Sequence, residues 1–445
     1  MKRPDRLLVL SRHTPDPGHD GASAYLYDML SYLADRGTEV HFAWLQPDYG
    51  LFPQGDWRVP RNLSRVMRLH LPKTFGLRWI LFWAGAGPLR TFAKSTQSLR
   101  QLLKRRKPRP STAARPAPTA NGAAPAAPAV SDWFSLPREH EHRYVRQLVR
   151  RVRPDAVMAN FAWLAPLLEE VTPPTRRLVL THDVAADRIA QTRRNRPTEI
   201  PAHLASREAE ARLLEPADLL VAITEEDAAV FRSVCRQPRV IVAPKAARSP
   251  GPRESDGEVG RILFVGGMNP PNIEGLQWFL TQVWPLLLQR VPRATLYICG
   301  DVGRSIGQPP PGVIWRGRVE NLEPEYADAA VVIAPLLTGS GMKIKVVDAA
   351  SHGTACVTTP IGLQGLECLR DAVACVETAP EFATAVAELL EDPVKRRQLG
   401  QAAQTAILAN LSSKKCYERL GDLLRTEPLP ASSPGVHAVP TLGSP

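Results

Sequence analysis

The chain has 445 residues, a net charge of +12, and a composition that is 44% hydrophobic and 22% charged. This length exceeds what one hydrophobic core organises, so we expect two domains, and the near-average composition excludes a wholly disordered chain. The basic balance favours an anionic partner. We expect no nucleic-acid partner, because no recognition motif is present and the aromatic residues do not alternate with Lys and Arg along one stripe.

The cysteines and the apolar runs indicate the compartment. The six cysteines form no CxxC pair, which is typical of a reducing environment. The first apolar run, Leu7 to Leu10, is too short for a secretory signal, and no run is long enough to span a bilayer. We therefore expect a cytoplasmic protein. The Trp-rich segment Leu77 to Leu89 predicts either a buried or acceptor-facing helix, or peripheral contact with an anionic membrane at its inner face.

The first half begins with a strand–helix–strand pattern. Leu7 to Leu10 predicts a buried strand, and a loop containing Gly18 and Gly21 leads into a helix that Gly37 ends. Val40 to Trp44 predicts the next strand. This βαβ order favours a doubly wound parallel sheet.

Further strands are predicted along residues 156–158, 178–181 and 219–223, and Thr224 has the spacing of a helix N-cap with Asp227. Residues 104–130 are rich in Pro, Ala and basic side chains, which predicts a disordered insertion. We therefore assign residues 1–247 to an N-terminal Rossmann-like domain.

The same alternation restarts after a polar linker at residues 248–260. The pattern predicts a C-terminal Rossmann-like domain over residues 248–426 and a disordered tail over 427–445. Gly266 and Gly267 form a predicted turn after a strand, and Asn272 is the predicted cap of the next helix. The remaining elements are predicted as strands at 261–265, 294–299, 331–334 and 355–359 and a helix at 344–351.

The loop from Leu336 to Gly362 contains the clearest signal for a ligand. Gly339 and Gly341 permit close approach of backbone to an anion, and a helix begins directly after them. Lys343 and Lys345 add positive charge where the helix dipole already disfavours it, which a bound diphosphate would offset. The alternative is a pair of solvated lysines.

Asp348 lies on the same helical face as Lys345, three residues on. Its carboxylate is able to accept hydrogen bonds from a ribose diol, or to form an ordinary ion pair with Lys345. His182 ends a predicted strand of the first domain, and by itself such a histidine is more often structural than functional.

The blocks 348–353, 355–362 and 365–366 resemble the donor-site signature of GT-B glycosyltransferases of the family 4 (group 1) type. Residues 264–279 and 313–319 and the glycines at 18–21 extend the similarity. The resemblance implies an α/β fold with two Rossmann-like domains facing each other across a cleft. It also implies transfer of a sugar from a nucleotide-diphosphate donor, usually with retention at the anomeric carbon. In that scheme the domain of residues 1–247 binds the acceptor and the domain of residues 248–426 binds the donor.

By this resemblance, Lys345 and Lys343 bind the donor diphosphate, Asp348 holds the ribose and His182 is the catalytic histidine. Gly18 and Gly21 belong to an acceptor or phosphate loop. The donor-binding set implied by the resemblance is Gly266, Gly267, Arg318, Ser340, Gly341, Met342, Lys343, Lys345 and Asp348.

The sequence departs from the family pattern at two places. Ser340 replaces the first glutamate of the paired-glutamate motif, and Gly267-Met268 replaces an arginine that grips phosphate in many relatives. No DxD triplet is present, and His140 and His142 are better explained as solvated helix residues than as metal ligands, so we expect no metal and no cofactor.

The sequence therefore predicts a glycosyltransferase that uses a UDP- or GDP-sugar and a glycan or lipid-linked acceptor, in polysaccharide or glycoconjugate synthesis. Two alternatives remain at this level. A nucleotide-sugar epimerase shares the fold, and a non-catalytic relative that binds nucleotide sugar would explain Ser340 and the missing arginine.

Overall fold

The computed structural model describes residues 5–15, 21–45, 67–70, 134–193 and 201–425, except positions 249, 252, 254, 306 and 320. Gly18, the 77–89 segment, the 104–130 insertion and the 427–445 tail lie outside the described residues.

The N-terminal half forms a seven-stranded parallel sheet in the order β3-β2-β1-β4-β5-β6-β7. Its central strands are buried along their length because helices cover both faces. The strands are β1 (Arg6–Ser11), β2 (Glu39–Trp44), β3 (Met67–His70), β4 (Ala156–Asn160), β5 (Arg176–Leu180), β6 (Leu219–Ala222) and β7 (Arg239–Val242). The helices are α1 (Gly21–Asp35), α2 (Glu139–Val152), α3 (Ala185–Arg193), α4 (Arg207–Leu214) and α5 (Glu225–Val234), with 3₁₀ turns at Ala162–Glu170 and Ala202–Leu204.

The C-terminal half forms a six-stranded parallel sheet in the order β10-β9-β8-β11-β12-β13. The strands are β8 (Arg261–Val265), β9 (Thr295–Cys299), β10 (Val313–Gly317), β11 (Val331–Ala334), β12 (Ala355–Thr358) and β13 (Ala374–Cys375). The helices are α6 (Pro270–Trp278), α7 (Trp284–Arg290), α8 (Glu323–Asp328), α9 (Ile344–Ser351), α10 (Ala379–Glu391), α11 (Pro393–Asn410) and α12 (Ser413–Arg425), and a π-helical turn at Phe279–Val283 joins α6 to α7. Short 3₁₀ turns lie at Asp301–Ser305, Pro360–Leu363 and Glu367–Leu369.

The predicted fold class is confirmed, and several elements have the predicted bounds, including β8, β11 and α9. Gly37 ends α1 with a φ of 91°, a conformation that glycine adopts without strain. Thr224 caps α5 by accepting a hydrogen bond from the backbone N–H of Asp227.

One predicted cap was wrong. Asn269, rather than Asn272, is the N-cap of α6, because the two prolines that follow it occupy the first helical positions, where a missing N–H costs nothing. Its side chain accepts a hydrogen bond from the backbone N–H of Asn272, at 3.1 Å.

The last helix, α12, returns to the N-terminal half and packs against α1. The hydroxyl of Tyr417 accepts a hydrogen bond from the backbone N–H of Ala246 at 2.9 Å, and its ring lies 6.4 Å from that of Tyr25, measured between centroids. Nearby, Lys245, three residues after β7, pairs with Asp28 of α1, and its Nζ lies 2.6 Å from Oδ2 of that aspartate. The buried residues of both halves therefore belong to one continuous apolar cluster on this side of the molecule.

Among the described helices, none combines the length and the apolar character that crossing a bilayer requires.

Candidate functional site

Each sheet has one point where the strand order reverses, between β1 and β4 in the first and between β8 and β11 in the second. Ligands of doubly wound sheets bind beyond the carboxyl ends of the strands at such points. The loops at the carboxyl ends of the two sheets meet: a Cβ placed on Gly341, after β11, would lie 3.2 Å from the carbonyl oxygen of His182, after β5. A Cβ on Gly21, the first residue of α1, would lie 2.9 Å from Cγ1 of Ile344, the first residue of α9. The structure thus brings predicted residues of both domains together.

Lys345 lies in the first turn of α9, with its ammonium between Asn272 of α6 and Phe264 of β8. Its Nζ donates to Oδ1 of Asn272 at 2.6 Å and lies 4.1 Å from the ring centroid of Phe264. Burial lowers the pKa of Lys345 to about 7. Within the described part of the chain, the contacts of this partly buried ammonium are with a neutral amide and an aromatic ring.

Asn272 connects Lys345 to the turn after β8. Its Nδ2 donates to the carbonyl oxygen of Gly267 at 3.0 Å, while its Oδ1 accepts from Lys345. Gly266 is crowded, since a Cβ there would lie 2.8 Å from Phe264, whereas a Cβ on Gly267 would meet nothing within 4 Å. The turn therefore leaves backbone open beside the lysine. Sequence reasoning assigned Asn272 to the helix cap and missed this role.

Lys343 occupies the N-cap position of α9 and is 8% exposed. Its Nζ donates to the carbonyl oxygens of Gly341 at 2.6 Å and Ser340 at 3.1 Å, and to Oε1 of Gln364 at 3.2 Å. Burial lowers the pKa of Lys343 to about 8, against the opposing effect of Asp183 and Asp227. In this structure, Lys343 holds the glycine loop closed on itself.

The other predicted donor residues have different surroundings. The Oγ of Ser340 is buried and has no hydrogen-bond partner within the described part of the chain. Met342 is 7% exposed and belongs to the apolar cluster shared by the two halves. Arg318 lies after the edge strand β10, and its Nε donates to Oδ2 of Asp301 at 2.6 Å, so its guanidinium is held by a neighbouring carboxylate.

Asp348 follows Lys345 by one helical turn. The ion pair considered between them is replaced by the bond from Lys345 to Asn272. Burial raises the pKa of Asp348, while the positive charges of Lys245, His352 and Arg248 oppose that rise. Asp348 therefore lies in a basic environment, near Lys245 and Arg248.

His182 has left-handed backbone geometry, with a φ of 64°, and is 8% exposed. Its Nε2 lies 2.6 Å from Oδ1 of Asn160, and its ring stacks on Phe161 with centroids 4.0 Å apart. The edge of Tyr25 approaches it at 5.3 Å. Sequence reasoning missed Asn160 and Phe161, although an asparagine that ends a wholly apolar strand is a visible signal.

Three buried carboxylates surround the start of α3 and α5, near Lys343. Asp183 accepts from Arg188 at 2.8 Å, and burial raises the pKa of Asp183. Glu210 accepts from the backbone N–H groups of Ala185 and Ala186, and burial raises the pKa of Glu210 to about 7 and that of Asp227 to about 6. Asp183 thus orients the loop after His182 through Arg188.

No group of three or more His, Cys, Asp or Glu side chains within the described ranges is arranged to hold a metal ion. His142 instead pairs with Glu170, Nδ1 to Oε1 at 3.1 Å, and His140 is exposed.

Comparison with known proteins agrees with this geometry. Residues 260–392 match the family described as Glycosyl transferases group 1. A protein of Klebsiella pneumoniae named "Uncharacterized 44.6 kDa protein in cps region" is 31% identical over 116 residues, which are 23% of this chain and 30% of that protein. The match thus spans about a third of the length of this curated relative.

Two solved structures share the whole architecture. Sucrose-phosphate synthase from Thermosynechococcus elongatus aligns with a TM-score of 0.62 at 15% identity, covering 95% of this chain and 98% of the other. An E. coli structure described as trehalose-6-phosphate bound with UDP-2-fluoro glucose aligns with a TM-score of 0.58 at 12% identity, covering 96% and 100%. Likeness at this identity establishes the fold.

Two parallel sheets whose carboxyl-end loops meet in this way define the GT-B class of proteins. The chain therefore has the GT-B fold, as its sequence predicted, and its second sheet lies in the part that matches the group 1 glycosyltransferase family.

Proposed function

We propose that this protein transfers a sugar from a nucleoside-diphosphate donor, a UDP- or GDP-sugar, to a glycan or lipid-linked acceptor. The observation that carries the proposal is the position of Lys345: a partly buried ammonium in the first turn of α9, bonded to Asn272 beside the open Gly266–Gly267 turn. A diphosphate placed there meets a lysine, the open backbone at Gly267 and the positive end of the helix dipole.

The chemistry requires stabilisation of a leaving diphosphate. As the bond between the anomeric carbon and the phosphate oxygen breaks, negative charge grows on the phosphate, and the fixed positive groups at α9 stabilise it. We propose that these groups make a divalent metal unnecessary. With retention, the acceptor hydroxyl bonds to the anomeric carbon on the face that the phosphate leaves, and its proton passes to a phosphate oxygen.

The N-terminal domain would hold the acceptor, with His182 near the transferred sugar and the glycines at 18 and 21 near the phosphates. The resemblance to the Klebsiella protein, whose name places it in a cps region, supports a role in polysaccharide synthesis. The excess of basic residues supports peripheral contact with an anionic membrane, and we propose that the protein acts at its cytoplasmic face.

Thermal unfolding with UDP, GDP and their common sugar conjugates, without added metal, tests the donor site. At about 100 times its dissociation constant, the correct nucleotide should add about 2.7 kcal/mol to the free energy of unfolding. Lys345→Met should lose this gain. Lys395→Met, which removes an exposed lysine paired with Glu388, is the matched control and should keep it.

Two observations favour the non-catalytic alternative: Ser340 replaces an expected carboxylate, and Lys343 is bonded to its own loop. Nucleotide binding without turnover of any donor, in the presence of a broad acceptor panel, would favour that alternative. A well-folded protein that no nucleotide stabilises would contradict the donor site itself.

A further inference from the structure

Hydrogen bonds connect the ends of three adjacent strands in the N-terminal sheet. Ser11 is the last residue of β1, Asn160 the last of β4, and His182 lies two residues beyond β5. Asn160 Nδ2 lies 2.9 Å from Ser11 Oγ, and its Oδ1 lies 2.6 Å from Nε2 of His182. Ser11 and Asn160 are fully buried. Asn160 thus bridges the strand-order reversal point to the predicted catalytic histidine.

The direction of each bond follows from the donors and acceptors available. The single proton of the Ser11 hydroxyl is donated to the carbonyl oxygen of His13 at 2.6 Å. The Oγ of Ser11 also accepts from the backbone N–H of His13 at 2.9 Å, which leaves this hydroxyl oxygen one lone pair. Ser11 must therefore accept from Asn160, so the NH₂ group of that amide faces Ser11.

The orientation of the amide then fixes the tautomer of the imidazole. With its NH₂ on Ser11, Asn160 presents only a carbonyl oxygen to His182, and a carbonyl oxygen accepts but does not donate. The Nε2 of His182 must carry the hydrogen. In the neutral ring the lone pair is then on Nδ1.

The backbone and the rings hold the imidazole plane as well. His182 and Phe161 both have positive φ, 64° and 84°, and their rings stack at 4.0 Å with an angle of 18°. On the other side of Phe161, the ring of Trp163 stacks at 4.4 Å. Unusual backbone geometry maintained by buried packing is typical of functional sites.

We propose that Asn160 is a positioning residue, which holds the ring of His182 in the Nε2–H tautomer for its part in the proposed reaction. The effect on turnover rests on the proposed function; the tautomer does not. Asn160 acts through His182 and makes no contact with substrate in this scheme.

Long-range ¹H–¹⁵N correlation spectra of protein labelled at histidine test the tautomer without any substrate, with His182→Gln to assign the signal. We expect Nε2–H in the wild type, and loss of that fixed tautomer in Asn160→Leu. Asn160→Asp keeps an acceptor on Nε2 and should restore it. Thr181→Val, which removes a neighbouring buried hydroxyl that donates to Val221, should leave it unchanged. An Nδ1–H tautomer in the wild type, or an unchanged one in Asn160→Leu, would overturn the proposal.

Steady-state kinetics supply the second readout once a donor is known. Asn160→Leu should lower kcat by about 10- to 100-fold, the usual range for residues that orient a functional histidine, with the KM for donor changed less than about threefold. Asn160→Asp should recover part of the loss. If His182→Gln abolishes turnover while Asn160→Leu leaves kcat unchanged, this inference fails and the proposed function stands. If the wild type turns over no donor, the proposed function fails while the spectra still decide the tautomer.

Discussion

The ammonium of Lys345 lies 2.6 Å from the amide oxygen of Asn272, so a neutral side chain joins the helix after β11 to the helix after β8. Keeping a cation there costs desolvation energy in the free protein, and an anionic ligand offsets that cost.

The Lys345→Met variant should bind nucleotide more weakly without being less stable. Removing the ammonium relieves its desolvation, so we expect the free protein to unfold at the same or a higher temperature. Loss of a charged hydrogen bond should weaken nucleotide binding by about 10- to 100-fold. Calorimetric titration and thermal unfolding measure the two effects. A variant that unfolds several degrees earlier and binds normally would show that Lys345 is structural.

Nucleotide binding should weaken as the pH rises above 7. Burial lowers the pKa of Lys345 to about 7 in the free protein, and a bound diphosphate favours the charged form and raises that pKa. Between the two values binding takes up a proton, so the affinity should fall by up to about tenfold per pH unit. Below pH 7 this residue should contribute no pH dependence. Titration in buffers of different ionisation enthalpy measures the uptake, which Lys345→Met should reduce.

The same pKa shift predicts the sign of an effect on folding. The unfolded chain holds the proton of Lys345 up to about pH 10.4, and the folded chain releases it near 7. The unfolded state therefore binds more protons in this window, and the contribution of Lys345 to the free energy of unfolding should increase from pH 7 to 10. Comparison of the wild type with Lys345→Met over that range isolates this contribution from other groups.

Asp348 should recognise the ribose hydroxyls of the donor. Wild-type protein should bind the ribonucleoside diphosphate more tightly than its 2′-deoxy analogue, by about 10-fold or more, since hydrogen bonds to charged groups contribute about 1.5–3 kcal/mol. Asp348→Asn should weaken binding of the ribonucleoside diphosphate and bring its affinity close to that of the 2′-deoxy analogue. Equal discrimination in both proteins would mean that Asp348 interacts with the basic residues near Lys245 and does not contact the ribose.

At position 161, we expect the usual stability order of alanine and glycine variants to be reversed. Its φ of 84° and ψ of 149° place it in a region that glycine alone adopts readily, at a cost of about 1–3 kcal/mol for other residues. Phe161→Ala loses the ring stacking and keeps the strain, whereas Phe161→Gly loses both. Denaturant unfolding should therefore find the glycine variant more stable by about 1 kcal/mol. In an ordinary extended segment, alanine would be the more stable of the two.

The fold was predictable because it rests on local patterns. Strands such as β8 and β11 are short apolar runs bounded by glycine or proline, and α9 follows a glycine loop. The edge strands β3 and β7 were missed because they are short and contain charged or histidine residues that weaken the apolar signal. Prolines after Asn269 moved the cap of α6 by one turn from its predicted place.

The candidate site was predictable in its types of residue and less so in their partners. Lys343 and Lys345 are two residues apart, but one bonds its own loop and the other bonds Asn272, 73 residues earlier. The bond from His182 to Asn160 depends on β4 and β5 being neighbours, which strand order decides and sequence spacing does not. Contacts of this kind become visible only when the topology is known.

The return of α12 to α1 means that the polypeptide passes between the halves twice, at residues 243–248 and again before Ser413. Two crossings act as two pivots, so opening of the cleft is restricted to rotation about the line through them. A fragment ending at residue 247 would leave Tyr25 and Leu33, both fully buried in the intact protein, without the helix that covers them. The first half is thus completed by the end of the second.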